Sequence, residues 1–472
     1  MPRRGCIYLY FFVKIQGMST RTRLRLLALA LWALTGPLPG AAAERPASAY
    51  FVLDNGLQVL LQEKHDLPLT GMALAIDLGT KDESDATSGY AHLLEHMLLF
   101  GAGAGTDREA RLAELRRHGV AHNAHTDHDL MTFEVSCPAA ESAWALEQMR
   151  QAVFSGRLDP QQLESEKRII GEEILQLRDD PAYLGRLLVM ERLFAGHPYG
   201  RPVFGDGSAI RAATIETLQA FCAPRLAAKR CALTVIGDFT LAAMEAEVRR
   251  NWGELAAGTA PAADIPVAGR LEKSSEQQIE LDIQQSHLFF GWRAPEFNND
   301  QRLPFSLLTH ILGSGLNPLL GGVLRGGRLE VERVDMSYLP LRSGGMALLH
   351  VILKPQAVRG AKNEVAAFLS RIGSFNFSRE DVLPRERMYV LDYLESARNQ
   401  MEYGDASFRE STLNLSVACS RFLLLNRTPI KGTFLDSVDK VSSNDLRRAA
   451  GKFLSGKKWA LLAITPLSGE RR

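Results

Sequence analysis

The sequence predicts an α+β protein built from two copies of one unit, and three observations carry that expectation. Apolar or alternating runs that read as strands open and close each half of the chain, with helical periodicity between them. A stretch rich in Ala, Pro and Gly, Gly258–Ser275, separates the halves. At 472 residues the chain can bury two sizeable cores.

The first element is a leader. Arg21, Arg23 and Arg25 precede the apolar run Leu26–Leu34, followed by Gly36-Pro37-Leu38-Pro39-Gly40 and the small-residue site Ala41-Ala42-Ala43. This is the layout of a secretory signal peptide over residues 1–43, with cleavage after Ala43 and an uncleaved anchor as the alternative. Met18 is a more natural start than Met1. The run is shorter than the roughly 20 residues a membrane span needs, and no later segment reads as long and apolar enough. The mature chain is therefore expected to be exported to a bacterial periplasm without a stable span. The 54 acidic and 55 basic residues of the full sequence nearly cancel, so no global field points to nucleic acid or a membrane surface. Five cysteines are too few for a disulfide scaffold. Cys222 and Cys231 are close enough in sequence to bridge, and no Cys-x-x-Cys spacing exists to hold zinc.

The first unit, residues 44–264, opens on strands at Tyr50–Gln62 and Leu67–Leu78 and closes on Ala232–Gly237, followed by a helix near Leu241–Trp252. Between them lies His92-Leu93-Leu94-Glu95-His96. On a helix, positions i and i+4 share a face, so His92 and His96 can grip one metal ion, with Glu95 beside it to take a proton from water. The order is the inverse of the commoner His-Glu-x-x-His zinc peptidase pattern. Ser88 is placed to cap this helix, Gly89 to ease the turn into it and Gly101 to end it. Leu93, Leu94, Met97, Leu98 and Leu99 would bury the imidazoles, which need a partner there. A catalytic zinc takes one more protein ligand and leaves a position for water.

Helical phase supplies that ligand. Asp159-Pro160 is a good helix start, and the helix runs through Gln161–Arg178 to a stop at Asp179-Asp180-Pro181. Leu163, Ile170, Ile174 and Leu177 form one apolar stripe, with Glu166 and Glu173 at its edge and Glu172 on the solvated side. Glu173 is the better ligand candidate and Glu166 a support for a ligand. His122, His125 and His128, with Asp127 and Asp129, resemble a second metal cluster, but strand alternation and a turn separate them. They read as solvated turn and cleft residues.

The second unit, residues 265–472, has strands at His287–Trp292, Met346–Leu353 and Trp459–Ile464. It lacks a His-x-x-Glu-His motif. Its corresponding region, Leu303–Gly315, holds only His310, a core or surface histidine.

Ser88-Gly89-Tyr90-Ala91-His92-Leu93-Leu94-Glu95-His96-Met97-Leu98 resembles the signature helix of the pitrilysin/insulysin/mitochondrial-processing-peptidase family of inverted zincins. Glu173 lies 77 residues beyond His96, at the interval of the family's third ligand, and Glu166 matches the family's upstream glutamate. Asn123-Ala124-His125-Thr126 is similar to the strand that pairs with bound peptide, and His197-Pro198-Tyr199-Gly200-Arg201-Pro202 to a further family stretch. The resemblance covers everything after the leader, more strongly in the first half.

It implies two homologous α/β-sandwich domains forming the halves of a chamber. It also implies one Zn2+ per chain on His92, His96 and Glu173, with Glu166 supporting them. Glu95 would act as general base in hydrolysis of unfolded peptides, and Asn123, Ala124 and Thr126 would hold the substrate backbone. The family's second domain carries an arginine and, seven residues later, a tyrosine that help hold substrate. Here Arg325 stands at the first position and Glu332 at the second, and the glycine-rich turn is altered to Gly313-Ser314-Gly315-Leu316-Asn317. A clamp element is thus missing, which points to a heterodimer with a metal-free paralogue, with a homodimer as the alternative. Glu332 could instead select basic peptides. A catalytically idle scaffold, a peptide-binding subunit and a zinc hydrolase for a non-peptide substrate are the rival readings.

Overall fold

The apolar runs of the first half assemble into a six-stranded sheet. In the computed structural model the described residues are 47–99, 108–154, 158–258, 264–269, 271–314, 318–326, 329–377, 393–429, 437–456 and 458–467. The leader, the helix end expected at Gly101 and the turn residues Gly315, Leu316 and Asn317 lie outside them. β1 (Ser48–Val52) pairs antiparallel with β2 (Gln58–Glu63), Tyr50 opposite Leu60, so the single strand expected over Tyr50–Gln62 is a hairpin. Asn55-Gly56 makes its turn. Gly56 sits at φ +87°, where a side chain is strained. Asn55 Oδ1 accepts from Leu57 N at 3.1 Å, while its Nδ2 donates to Trp252 O at 2.8 Å. β3 (Leu69–Ile76), β4 (Ala121–Thr126), β5 (Met131–Pro138) and β6 (Cys231–Gly237) complete the order β1-β2-β6-β3-β5-β4.

The second sheet holds β7 (Ser275–Leu281), β8 (Ser286–Ala294), β9 (Val331–Leu341), β10 (Gly344–Leu353) and β11 (Ala460–Pro466) in the order β7-β11-β8-β10-β9. Its plan repeats the first. In each, an opening strand pairs parallel with the closing strand (β2 with β6, β7 with β11), which pairs antiparallel with the next (β3, β8). The α+β class and the doubled unit are therefore found, with β1 as an addition to the first copy.

Four helices position the site and join the copies: α1 (Tyr90–Leu99), α2 (Pro160–Asp179), α3 (Pro181–Leu193) and α4 (Thr412–Asn426). The stop expected at Asp179-Asp180-Pro181 ends α2 and starts α3 at once, since Asp180 Oδ1 accepts from Ala182 N at 2.8 Å. One face of each sheet packs on helices of its own half. Leu74, Leu94 and Leu146 belong to the first core, and Phe290, Trp292 and Phe305 to the second. The opposite face is covered by a helix from the other half. α3 lays Val189 and Leu193 on Phe289, Leu348 and Leu462 of the second sheet. α4 lays Leu423 and Leu424 on Leu60, Ala75 and Ile236 of the first. Glycines permit both approaches. A Cβ on Gly71 would fall 2.4 Å from Leu413 N of α4, and one on Gly291 would fall 2.2 Å from Val189 Cγ1 of α3. From Ala47 onward the chain is one compact unit.

Two expectations need correction. The run Arg302–Gly326 is long and apolar enough to cross a membrane by length and composition, but 67% of its window is buried inside the protein. His128 and Asp129 are not solvated: they are 7% and 3% exposed, His128 Nδ1 meeting Thr80 Oγ1 and Asp129 accepting from Tyr199 and Arg342. Cys222 and Cys231, left open as a bridge, are buried free thiols.

Candidate metal centre

α1 is buried along almost its whole length, because Leu93, Leu94, Met97 and Leu98 surround its polar residues. The cap expected at Ser88 is supplied by Glu83. Its carboxylate accepts from Gly89 N at 3.0 Å and Ala91 N at 2.8 Å, which complements the positive end of the helix. Burial pushes the Glu83 carboxyl up to about 8 despite those donors. Gly89 bends the chain at φ +86°, and a Cβ there would meet Ile210 Cδ1 at 2.7 Å.

His92 and His96 project from successive turns, with their Nε2 atoms 3.2 Å apart. α2 begins at Asp159, whose Oδ1 accepts from Gln162 N at 2.7 Å, and its stripe of Leu163, Ile170 and Ile174 lies in the core. That phase carries Glu173 Oε2 to 3.9 Å from His92 Nε2 and 3.7 Å from His96 Nε2. Glu172, next in the chain, faces solvent. His96 Nδ1 donates to Glu166 Oε2 at 3.0 Å, which fixes the ring and leaves Nε2 to face the cluster. Glu166 is 1% exposed, and its other oxygen accepts from Arg108 Nη1 at 3.1 Å. The His92 ring stands edge-on to Phe204, with centroids 4.3 Å apart.

This arrangement fits a divalent metal. The two Nε2 atoms and a Glu173 oxygen lie within 4.8 Å of one another. Among the described residues, the buried Glu173 Oε2 and His92 Nδ1 have no hydrogen-bond partner. Burial, reinforced by His96, lowers His92 to about 3, so its ring is neutral and its lone pair free. For His96 burial acts downward, but the Glu166 hydrogen bond and the nearby carboxylates raise it overall. Two imidazoles and a carboxylate are a known zinc donor set, with one position left for water. Glu95, on the same turn, has a buried, unpartnered Oε2, and burial raises its carboxyl above the usual range.

Other expected residues divide. Asn123, Ala124 and Thr126 lie on β4, which pairs only with β5 and forms the sheet edge nearest α1. Arg325 sits exposed on the helix Leu319–Gly326, and no contact among the described residues joins it to the cluster. Glu332 is exposed on β9 and bonds Gln285. A cavity of about 260 Å3 is lined by Thr126, Tyr183 and Phe204, whose ring lies against His92, from the first half and by Leu339 and Met346 from the second.

Several residues escaped the sequence reading. Tyr199, within the stretch His197–Pro202, donates to Asp129 Oδ1 at 2.6 Å and accepts from Ser343 N at 3.1 Å. Arg342 N donates to Asp129 Oδ2 at 2.7 Å, and Arg342 Nη2 lies 2.9 Å from Asp77 Oδ1. Glu83 and Arg108 had only their charge as a signal. Their bonds depend on folded geometry.

The sequence profile of the insulinase family (peptidase family M16) matches residues 58–207, and that of the peptidase M16 inactive domain matches residues 212–383. An uncharacterized zinc protease of Mycobacterium tuberculosis is 27% identical over 286 residues, which span 60% of this chain and 65% of that protein, just under two thirds of its length. A probable mitochondrial-processing peptidase subunit beta of Arabidopsis thaliana is 21% identical over 436 residues, covering 89% of this chain and 79% of that one. The crystal structure of a protease from Helicobacter pylori superposes with a TM-score of 0.77 at 18% identity, covering 89% of this chain and 100% of that one, a likeness of fold.

Proposed function

The chain belongs to peptidase family M16, and from that premise we propose that it is a zinc-dependent endopeptidase that hydrolyses unfolded peptides. The observation that carries the proposal is the convergence of His92 Nε2, His96 Nε2 and Glu173 Oε2 beside Glu95, whose buried Oε2 has no hydrogen-bond partner among the described residues. One zinc per chain would be held by those three side chains. Bound there, zinc supplies Lewis acidity that acidifies water and polarises a scissile carbonyl. Glu95 accepts the proton of the attacking water and returns it to the leaving amine, a task suited to a carboxyl raised above its usual range. Glu166 holds the His96 ring in place through Nδ1. An extended peptide would add to the open edge of β4, its backbone beside Asn123, Ala124 and Thr126, an arrangement that favours unstructured chains.

In this reading residues 44–264 form the metal-bearing domain, residues 265–472 the metal-free one, and residues 1–43 direct export to a periplasm. Zinc analysis together with peptide hydrolysis tests the core of the proposal. Glu95→Gln should keep zinc and lose roughly 10²- to 10⁴-fold in turnover. Wild-type turnover by Glu95→Gln would refute it.

Divided labour is the second reading, favoured by the exposure of Arg325 and by Glu332 standing, also exposed, where the family carries a tyrosine. A metal-free paralogue would then complete the substrate clamp. The chain alone would bind zinc and cleave poorly, and full activity from the purified chain would rule this out.

A further inference from the structure

We propose that the second half of the chain sets the substrate strand in place by gripping the β4–β5 turn, with Arg421 and Asp127 as positioning residues. The inference rests on the reading that peptide adds to β4. Among the described residues that strand has a neighbouring strand on one side only, so its order depends on how its ends are held. Its C-terminal end runs directly into Asp127-His128-Asp129.

Every residue of this turn is tied. Asp127 Oδ1 accepts from Asp129 N at 2.7 Å and from Leu130 N at 2.8 Å, closing the turn on itself. Its Oδ2 pairs with the guanidinium of Arg421 on α4, and Arg421 Nη1 also donates to Thr132 Oγ1 on β5 at 3.4 Å. From the other side Arg342 N, in the β9–β10 turn, donates to Asp129 Oδ2 at 2.7 Å. The carbonyls of Asp127 and His128 accept from Thr80 N at 3.2 Å and Lys81 N at 3.0 Å, within the first half. Two separate elements of the second half, α4 and the β9–β10 turn, therefore grip a turn of three residues adjoining Thr126. Among the described residues none of these groups touches His92, His96 or Glu173, while Thr126, next to the turn, reaches the Glu95 carboxyl.

The consequence follows from what binding costs. A strand already ordered loses little conformational freedom when peptide pairs with it, whereas a frayed strand must be ordered by the peptide itself. Loosening the turn should therefore act first on peptide binding, with a smaller effect on turnover through the Thr126 contact with Glu95.

The test uses the zinc-loaded full chain and an unstructured model peptide. Arg421→Ala and Asp127→Asn should each raise KM roughly five- to ten-fold with kcat little changed, and the double variant should be no worse than either single one. Zinc stoichiometry should stay at the wild-type value, and Arg421→Lys should restore part of the loss. Amide exchange over residues 121–126 should quicken in Arg421→Ala, a readout that requires no turnover. Unchanged exchange there would overturn the grip itself. Quickened exchange with a wild-type KM, while hydrolysis still depends on Glu95, would overturn its role in substrate binding. Absence of Glu95-dependent hydrolysis by the wild-type chain, both alone and with a metal-free paralogue added, would refute the peptidase reading, and the substrate role of the turn with it.

Discussion

The two halves share a sheet plan and differ in what the helix after the third-from-edge strand carries. In the first half β3 leads to α1, with His92, Glu95 and His96 facing Glu173. In the second half β8 leads to Arg302–Thr309, where Pro304, Phe305, Leu307 and Leu308 fill the core, and the helix widens into a π-helical turn over His310–Ser314. His310 there meets Gln400 Oε1 at 3.2 Å and, among the described residues, no carboxylate pair. The same scaffold tolerates a polar cluster or an apolar plug at this place, so the chemistry belongs to a few side chains and not to the architecture. The unarmed copy still contributes a cavity wall through Leu339 and Met346, and it covers the back of the armed sheet with α4.

Changing both histidines gives the largest expected contrast. His96→Ala should remove most bound zinc, as measured by metal analysis, while His310→Ala should leave zinc content at the wild-type level. Zinc loss in the His310 variant would break the division of labour drawn above.

The paired glycines give the next effect. Gly71→Ala drives a Cβ into α4 backbone, whereas at Gly291 the nearest atom is a methyl of the buried Val189, a branched side chain with little rotamer freedom on a helix, so α3 must shift. Gly71→Ala should cost about 3 kcal/mol and Gly291→Ala about 2 kcal/mol in denaturant unfolding. Equal costs would mean that the two cross-packed helices are held with equal rigidity.

Glu166→Gln follows, with zinc affinity falling about 10- to 100-fold, as for other groups that orient a metal-binding histidine. Competition with a chelator of known affinity measures it. Smallest is Glu172→Gln, expected within about 0.5 kcal/mol of wild type in stability and with zinc retained, since its side chain faces solvent. A strong effect there would undo the phase assignment of α2.

What could be read in advance was local. The spacing of His92 and His96, the Asp159-Pro160 start and the apolar stripe of α2 are short-range patterns, and each matches the helix that forms. The hairpin at Asn55-Gly56 was equally local but was hidden inside a run that reads as continuous strand. Asp129 shows what could not be read. As one acid in a cluster of His and Asp it looked solvated, yet its partners, Tyr199 and Arg342, lie 70 and 213 residues away. Glu83 is similar: five residues before Ser88, it becomes the cap only because the chain turns back through Gly89. No periodicity encodes contacts of that kind.

The exchange of α3 and α4 between the halves also bears on how the chain is made. Ser416 Oγ donates to Gly71 O at 2.9 Å across a separation of 345 residues. At roughly 5–20 residues per second, a ribosome needs on the order of 20–70 s to cover that interval. For about the second half of that interval, from the completion of β6 to the arrival of α4, the face of the first sheet carrying Ala75 and Ile236 waits for its cover. A newly made first half is thus a sticky, incomplete body, and a chain cut anywhere before α4 should aggregate rather than fold.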